Sequence, residues 1–211
     1  MTRCCFLLSI VFAASATYAQ EPPPKIGPFV IDFHGTVPRF PDDPNLGDSR
    51  GLTVAELPGH GLGIQLAAHG YPLRWRGVTF GLGGELATSR ARKEPPTGQT
   101  TTVRATEETF TSRDIQLSFN FGTGHGWSYV SGGIGSSTWA LAPDGRQPLP
   151  ADSETHKTLN YGGGARWFSK THVAFSFDVR LYAINPGTAF LTFPASPRTT
   201  LLVIGAGVSL K

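Results

Sequence analysis

Beyond its first five residues the 211-residue sequence contains no cysteine, and beyond Met1 no methionine. Cys4 and Cys5 fall within residues 1–19, which read as a secretory signal. Arg3 supplies the positive start, Phe6 to Ala14 the apolar core, and Ala16-Thr17-Tyr18-Ala19 the small-residue cleavage site. The chain after the signal therefore has no thiol for a disulfide, a nucleophile or a sulfur-ligated metal. The apolar run is shorter than the ~20 residues a membrane helix needs, so it is an address and not an anchor. Nor is there a sustained helical period in the rest of the chain. Charge is also scarce, at 16% of residues. The net charge is +3, or +2 once Arg3 leaves with the signal, which gives no ground for a nucleic-acid partner. Phosphate-cradling glycine motifs are missing as well.

The chain is instead rich in glycine, phenylalanine, threonine and serine, set in period-two alternation. The clearest case is Val173 to Ile184. Val173, Phe175, Phe177, Val179 and Leu181 share one face, while Ala174, Ser176, Asp178, Arg180 and Tyr182 share the other. Residues 20–26, with three consecutive prolines, read as an extended leader. Residues 27–211 then hold eight segments of this kind, near 27–37, 61–71, 77–92, 108–122, 127–142, 157–168, 173–184 and 200–210. Proline-rich connections at 38–59, 93–106, 142–156 and 185–198 alternate with short turns at 72–76, 124–126 and 169–171. In the fifth segment glycine on both faces obscures the pattern. There Trp127 and Tyr129 are expected to face outward.

Each segment is long enough to cross a bilayer when tilted, and the long-short rhythm of the connections is that of a membrane barrel. Short turns collect on the periplasmic side and long loops at the cell surface. The predicted fold is thus an all-β, eight-stranded antiparallel up-and-down transmembrane β-barrel in the bacterial outer membrane. Its phenylalanine faces meet lipid and its polar faces line the lumen. Tyr71, Trp75, Trp127 and Trp167 lie beside the short turns, and Trp139 at the far end of its strand. These five are expected to form aromatic girdles at the two interfaces.

The segments Phe175-Ser176-Phe177-Asp178-Val179-Arg180-Leu181-Tyr182 and Leu202-Val203-Ile204-Gly205-Ala206-Gly207-Val208-Ser209-Leu210 resemble the OmpA/OmpX-like superfamily of small eight-stranded outer-membrane barrels, over essentially the whole chain after the signal. The resemblance implies an interior filled by side chains with internal charge clusters, and insertion by the cell's barrel-insertion machinery. One departure is the end of the chain, Leu210-Lys211, where that superfamily usually carries an aromatic residue.

On the inward faces, Asp32, Glu85, Arg166, Asp178 and Arg180 are expected to pair, because an isolated charge in a narrow lumen is costly. Glu85 and Arg180 stand at similar heights on opposite walls. Such a set is either a static polar core or the gate of a small passive pore. Arg90, Arg92, Arg113 and Lys157 project outward near the surface-side rim, where they could contact the phosphates of lipopolysaccharide, or simply be solvated. His34 and His69 both face the lumen but lie too far apart to share a metal. No cofactor is expected.

Two other classes compete with this reading. An outer-membrane lipid A-modifying enzyme needs a serine with a histidine within reach, and only His172 with Ser176 offers a faint pair. A secreted lipocalin-like carrier would turn the phenylalanine faces inward. The reading that best fits the sequence is a monomeric, non-enzymatic barrel with a structural or surface-interaction role. Its partners would be outer-membrane lipid, lipopolysaccharide and whatever binds the loops, especially Arg39 to Leu57.

Overall fold

The computed structural model describes residues 24–95 and 104–211. The signal, the first part of the leader and the middle of the second long connection lie outside the described residues. Eight strands succeed one another: β1 Phe29–Arg39, β2 Gly61–Trp75, β3 Val78–Lys93, β4 Thr106–Thr123, β5 Gly126–Pro143, β6 Thr155–Phe168, β7 Val173–Ile184 and β8 Thr199–Leu210. Each pairs antiparallel with the next, and β8 closes on β1 from Ile31↔Leu210 to Arg39↔Leu202. Closure leaves no strand edge with unpaired backbone groups, which an apolar surrounding would not tolerate. The strands are joined alternately by short turns and by loop 1 (40–60), loop 2 (94–105), loop 3 (144–154) and loop 4 (185–198).

Alternation decides which side chain lies inside. In β1 the even-numbered residues are buried and the odd-numbered ones exposed along the whole strand. The same inversion holds around the wall. Ile115, Leu117, Phe119 and Phe121 of β4 point outward, as do Phe175 and Phe177 of β7. Leu62 (74% exposed), Ile134 (71%) and Ile115 (68%) show how completely large apolar side chains are presented to the surroundings. A carrier with inward phenylalanine faces is therefore not what this chain forms. Placing an arginine at Leu117, in the middle of the apolar stretch of β4, is expected to cost ~2–4 kcal/mol in a bilayer, against ~0–1 for Thr111→Arg above that stretch. Urea unfolding in lipid vesicles measures the difference. Equal costs at the two positions would show that the apolar face is not embedded.

Two local expectations are corrected. Residues 72–76 are not all turn, since β2 continues to Trp75 and the reversal falls at Arg76 and Gly77, with Arg76 in a left-handed conformation (φ 55°). A register shift between Gly70 and Leu73 accommodates Pro72, whose missing N–H would otherwise leave a gap in the ladder. The second correction concerns β5, where Trp127 and Tyr129 face inward and are nearly fully buried. Pairing with β4 sets Trp127 opposite Gly122 and Tyr129 opposite Asn120. Glycines 132, 133 and 135 make both faces of the strand look alike in sequence, so only the register could choose between them.

The interior is filled in three tiers. At the short-turn end Ile26, Val30 and Trp127 form a small apolar plug with Tyr71 and Phe168. The middle is polar. At the long-loop end Phe110, Trp139, Leu141, Tyr182, Ile184, Leu201 and Val203 line the mouth, and loop 1 drops Phe40, Leu46, Leu52 and Leu57 among them. Loop 1 achieves this with a five-residue helix, α1 Pro44–Asp48, capped by Asp43, and with a 3-10 turn at Val54–Glu56. The Asp43 carboxylate accepts the Asn45 N–H at 2.8 Å, satisfying one of the donors a helix start leaves free.

Candidate functional site

Four strands, β1, β3, β6 and β7, bring the inward charges together. Arg166 of β6 donates to both oxygens of Asp32 of β1, at 2.8 and 2.6 Å, in a bidentate pair. Ser209 of β8 adds a third bond to the same carboxylate at 2.5 Å. The Arg166 guanidinium also stacks over the Tyr129 ring at 4.0 Å. Arg180 of β7 reaches Glu85 of β3 at 3.0 Å across the lumen, and its own neighbour Asp178 at 3.0 Å. Glu85 is a hub. It accepts from Gln65 at 2.6 Å, Gln116 at 2.9 Å and the Tyr182 hydroxyl at 2.5 Å. Asp178 accepts from the Tyr129 hydroxyl at 2.7 Å.

All five charged residues named from the sequence thus face the lumen and are paired there. Of their partners, Gln65, Gln116 and Tyr182 were legible only as inward positions and Tyr129 not even as that, since period-two parity says which face a residue takes and not whom it meets. Small residues make room for these partners. A Cβ added at Gly164 would lie 2.7 Å from the Tyr129 hydroxyl oxygen, so a side chain there would displace the bond to Asp178.

The two lumen histidines play different parts. His34 bonds to Ser176 at 2.8 Å and to Gln65 at 3.3 Å, whereas His69, although buried, has no hydrogen-bond partner among the described residues. His34 pairs with Gln65 across the sheet and His69 with Val30, four residues further on, or ~13 Å. The pairing of His172 with Ser176 is corrected. Ser176 is fully buried on the inner face and bonded to His34, while His172 is exposed at the turn before β7 and meets the carbonyl of Lys211.

Three of the five expected girdle residues lie elsewhere. Trp127 belongs to the lower plug, with Tyr71 against it edge-on at 6.0 Å. Trp139 points inward and donates its indole N–H to Glu108 at 2.8 Å. Tyr71 is half-buried. Trp75 and Trp167 are exposed on the outer wall at the short-turn end, 60% and 55%. Indoles close to a turn look alike in sequence whichever way they face.

A clamp over the mouth has no counterpart in the sequence pattern. Arg50 of loop 1 is buried and donates Nε to Asp152 of loop 3 at 2.7 Å, Nη1 to Ser196 of loop 4 at 2.7 Å and Nη2 to the Ala151 carbonyl at 3.1 Å. Asp152 in turn accepts from the backbone N–H groups of Leu141 and Leu149. Loop 1 is therefore a plug held by loops 3 and 4: within Arg39 to Leu57 the side chains of Phe40, Leu46, Arg50, Leu52 and Leu57 are taken up by the mouth, while Asp42, Asn45, Asp48 and Thr53 stay exposed. Nothing periodic in the sequence marks such a contact. Loops 3 and 4 are also joined at Glu154, where burial pushes the carboxyl up but bonds from the Thr188 hydroxyl and N–H outweigh it and hold it below its ordinary value.

The four outward cations divide into two kinds. Arg90 pairs with Glu107, and Arg92 with Glu94 and Asp144, both at 2.6 Å. The Arg92 bonds hold the Asp144 carboxyl below the usual carboxylate range. Arg113 bonds to Ser136, at 3.1 Å. Among the described residues neither Arg113 nor Lys157 has a carboxylate within ion-pair distance.

A closed eight-stranded barrel, apolar outside and polar within, with alternating short and long connections, is the fold of the small outer-membrane barrels. The chain is similar in fold to the Neisserial surface protein NspA, with a TM-score of 0.56 at 14% identity over 88% of this chain and 97% of that one. It is also similar to Ail, the attachment invasion locus protein of Yersinia pestis, with a TM-score of 0.51 at 14% identity over 86% and 97%. No protein-family model matches the sequence, and no curated protein is significantly similar to it.

Proposed function

We propose that the protein is a monomeric, non-enzymatic β-barrel of the bacterial outer membrane, anchored there by its wall and presenting loops 3 and 4 and the rim to the outside. The observation that carries this is the continuous outward belt of large apolar side chains on all eight strands, from Phe33 and Leu66 to Phe175 and Ile204. Such an area is unstable in water and favourable in lipid. Trp75 and Trp167 then mark the periplasmic interface. A structural or surface-interaction role is favoured over a pore, because both ends of the lumen carry apolar plugs and the middle is crossed by paired charges. An acyl-transfer role lacks support, since the inner-wall serine nearest a histidine, Ser176, is sealed from lipid and solvent alike. Ail, one of the proteins of similar fold, is by name an attachment protein, which agrees with a contact role for the loops.

Cell fractionation followed by electrophoresis with and without boiling tests the proposal. Recovery in the outer membrane with a mobility that changes on heating is expected, together with no steady conductance in planar bilayers. Recovery in the periplasmic soluble fraction would overturn the anchoring, and stable channel openings would overturn the closed lumen.

A further inference from the structure

The strand register lines up three rows of outward side chains on one side of the barrel. The lowest row crosses Ile31, Ala68, Gly84, Ile115, Ile134 and Leu159. Where the other positions carry four-carbon side chains, Ala68 and Gly84 stand side by side with almost none. They leave a shallow apolar trough walled by Ile31, Leu66, Leu86 and Ile115, and a cleft lies there on the outer surface. The next row toward the long loops crosses Leu86, Arg113, Ser136 and Lys157. The third is a line of four threonines on four successive strands, Thr88, Thr111, Thr138 and Thr155. A second cleft runs over these hydroxyls and is continuous with the first, sharing Leu66, Leu86, Arg113 and Ser136.

The change of chemistry from one row to the next is complete within ~7 Å along the strand, and Arg113 and Lys157 stand two strands apart, or ~10 Å, on either side of Ser136. Neither cation is matched by a carboxylate among the described residues, unlike Arg90 and Arg92 two and three rows higher. Two unmatched cations at the upper boundary of an apolar belt, with five hydroxyls beside them and a trough for a hydrocarbon chain below, complement an amphiphile of one kind. It needs a phosphate for the cations, sugar hydroxyls for the threonine line and acyl chains for the belt.

We propose that this groove binds a phosphorylated glycolipid of the lipid A type. Its phosphate lies between Arg113 and Lys157 over Ser136, its sugar against the threonine line, and one acyl chain in the Ala68–Gly84 trough. The planar guanidinium of Arg113 suits a bidentate hold on phosphate, and Lys157 closes the other side as a point charge. A glycerophospholipid could satisfy the cations but would leave most of the threonine line unused.

Binding in this groove rests on the barrel being embedded in the outer membrane, and the test separates the two. The full barrel is folded into detergent micelles and its folding checked by heat-dependent mobility. Retention of bis-phosphorylated lipid A is then compared with that of its dephosphorylated form and of phosphatidylethanolamine, by native mass spectrometry. Wild-type protein is expected to retain the bis-phosphorylated lipid at least tenfold better than either of the others. In the Arg113→Ala/Lys157→Ala variant retention should fall at least tenfold, the usual scale for losing charge-assisted hydrogen bonds, while Arg90→Ala/Arg92→Ala should change it less than twofold. Three results would overturn the groove as proposed: retention that ignores the phosphate, equal retention of phosphatidylethanolamine, or a double variant that binds like wild type. The first two need no variant, so they stand even where a substitution impairs folding. Absence of heat-dependent mobility in the wild type would instead refute the embedded barrel itself.

Discussion

Replacing Arg180 with alanine is expected to destabilise the barrel by about 3–5 kcal/mol, the usual cost of removing one partner from a buried ion pair. The reason is what it leaves behind. Glu85 and Asp178 would both stay buried, 3% and 1% exposed, with no other cation paired to them among the described residues. Glu85 would keep its bonds from Gln65, Gln116 and Tyr182, and Asp178 its bond from Tyr129, so each carboxylate would remain hydrogen-bonded but uncompensated. Removing the charges together should cost much less, because an ion pair replaced by neutral groups of similar volume is often close to neutral in stability. A triple variant, Arg180→Met with Glu85→Gln and Asp178→Asn, is therefore expected to be more stable than Arg180→Ala alone. Urea unfolding followed by tryptophan fluorescence compares the three proteins. A loss under about 1 kcal/mol in Arg180→Ala would mean that water enters the lumen freely enough to solvate the stranded acids.

Arg50→Ala is expected to have an effect of similar size confined to the mouth. It strands Asp152, which is 5% exposed, and removes the bonds from loop 1 to loops 3 and 4. The cost again falls near 3–5 kcal/mol, but it appears in the free energy of lifting loop 1 off the mouth rather than in unfolding the wall. Segments can open locally with free energies far below the global value. Cleavage within residues 40–60 by a soluble protease should thus accelerate at least a hundredfold, while the heat-dependent mobility of the barrel is retained. No conductance should appear, since the Glu85–Arg180–Asp178 crossing and the lower plug remain in place. Unchanged protease resistance would show that the burial of Phe40, Leu46, Leu52 and Leu57 holds the plug without the clamp. A shift in barrel unfolding as large as that of Arg180→Ala would show that the plug and the wall are one cooperative unit.

The two arginines differ in how far the sequence revealed them. Arg180 sits two residues from Asp178 in a strand of clean alternation, so its inward direction and its need for a counter-charge followed from parity and electrostatics. Even the cross-lumen partner Glu85 could be placed by counting from the turns. Arg50 sits among Pro44, Gly47, Gly51 and Pro58 in a stretch with no period at all. Whether it would point into water or into the mouth depended on loops 3 and 4, which are more than ninety residues away in the chain. The outer cations show the same division. Their outward direction was legible, but which were already matched was not, because Glu107, Glu94 and Asp144 reach Arg90 and Arg92 from other strands and loops.

By itself the sequence determined the number of strands, their order, the faces of six strands and of most of β2, and the alternation of turns and loops. All of this comes from local steric and hydrophobic rules that act within one strand: side chains alternate every residue, and prolines stop the ladder. The tertiary structure alone decided three things. It turned Trp127, Tyr129 and Trp139 inward, it folded loop 1 into the mouth, and it aligned Arg113, Ser136 and Lys157 in one row. Each of these is set by register or by packing between segments distant in the chain. A glycine-rich strand such as β5 takes its facing from the neighbours it pairs with, because with so few side chains it has little preference of its own.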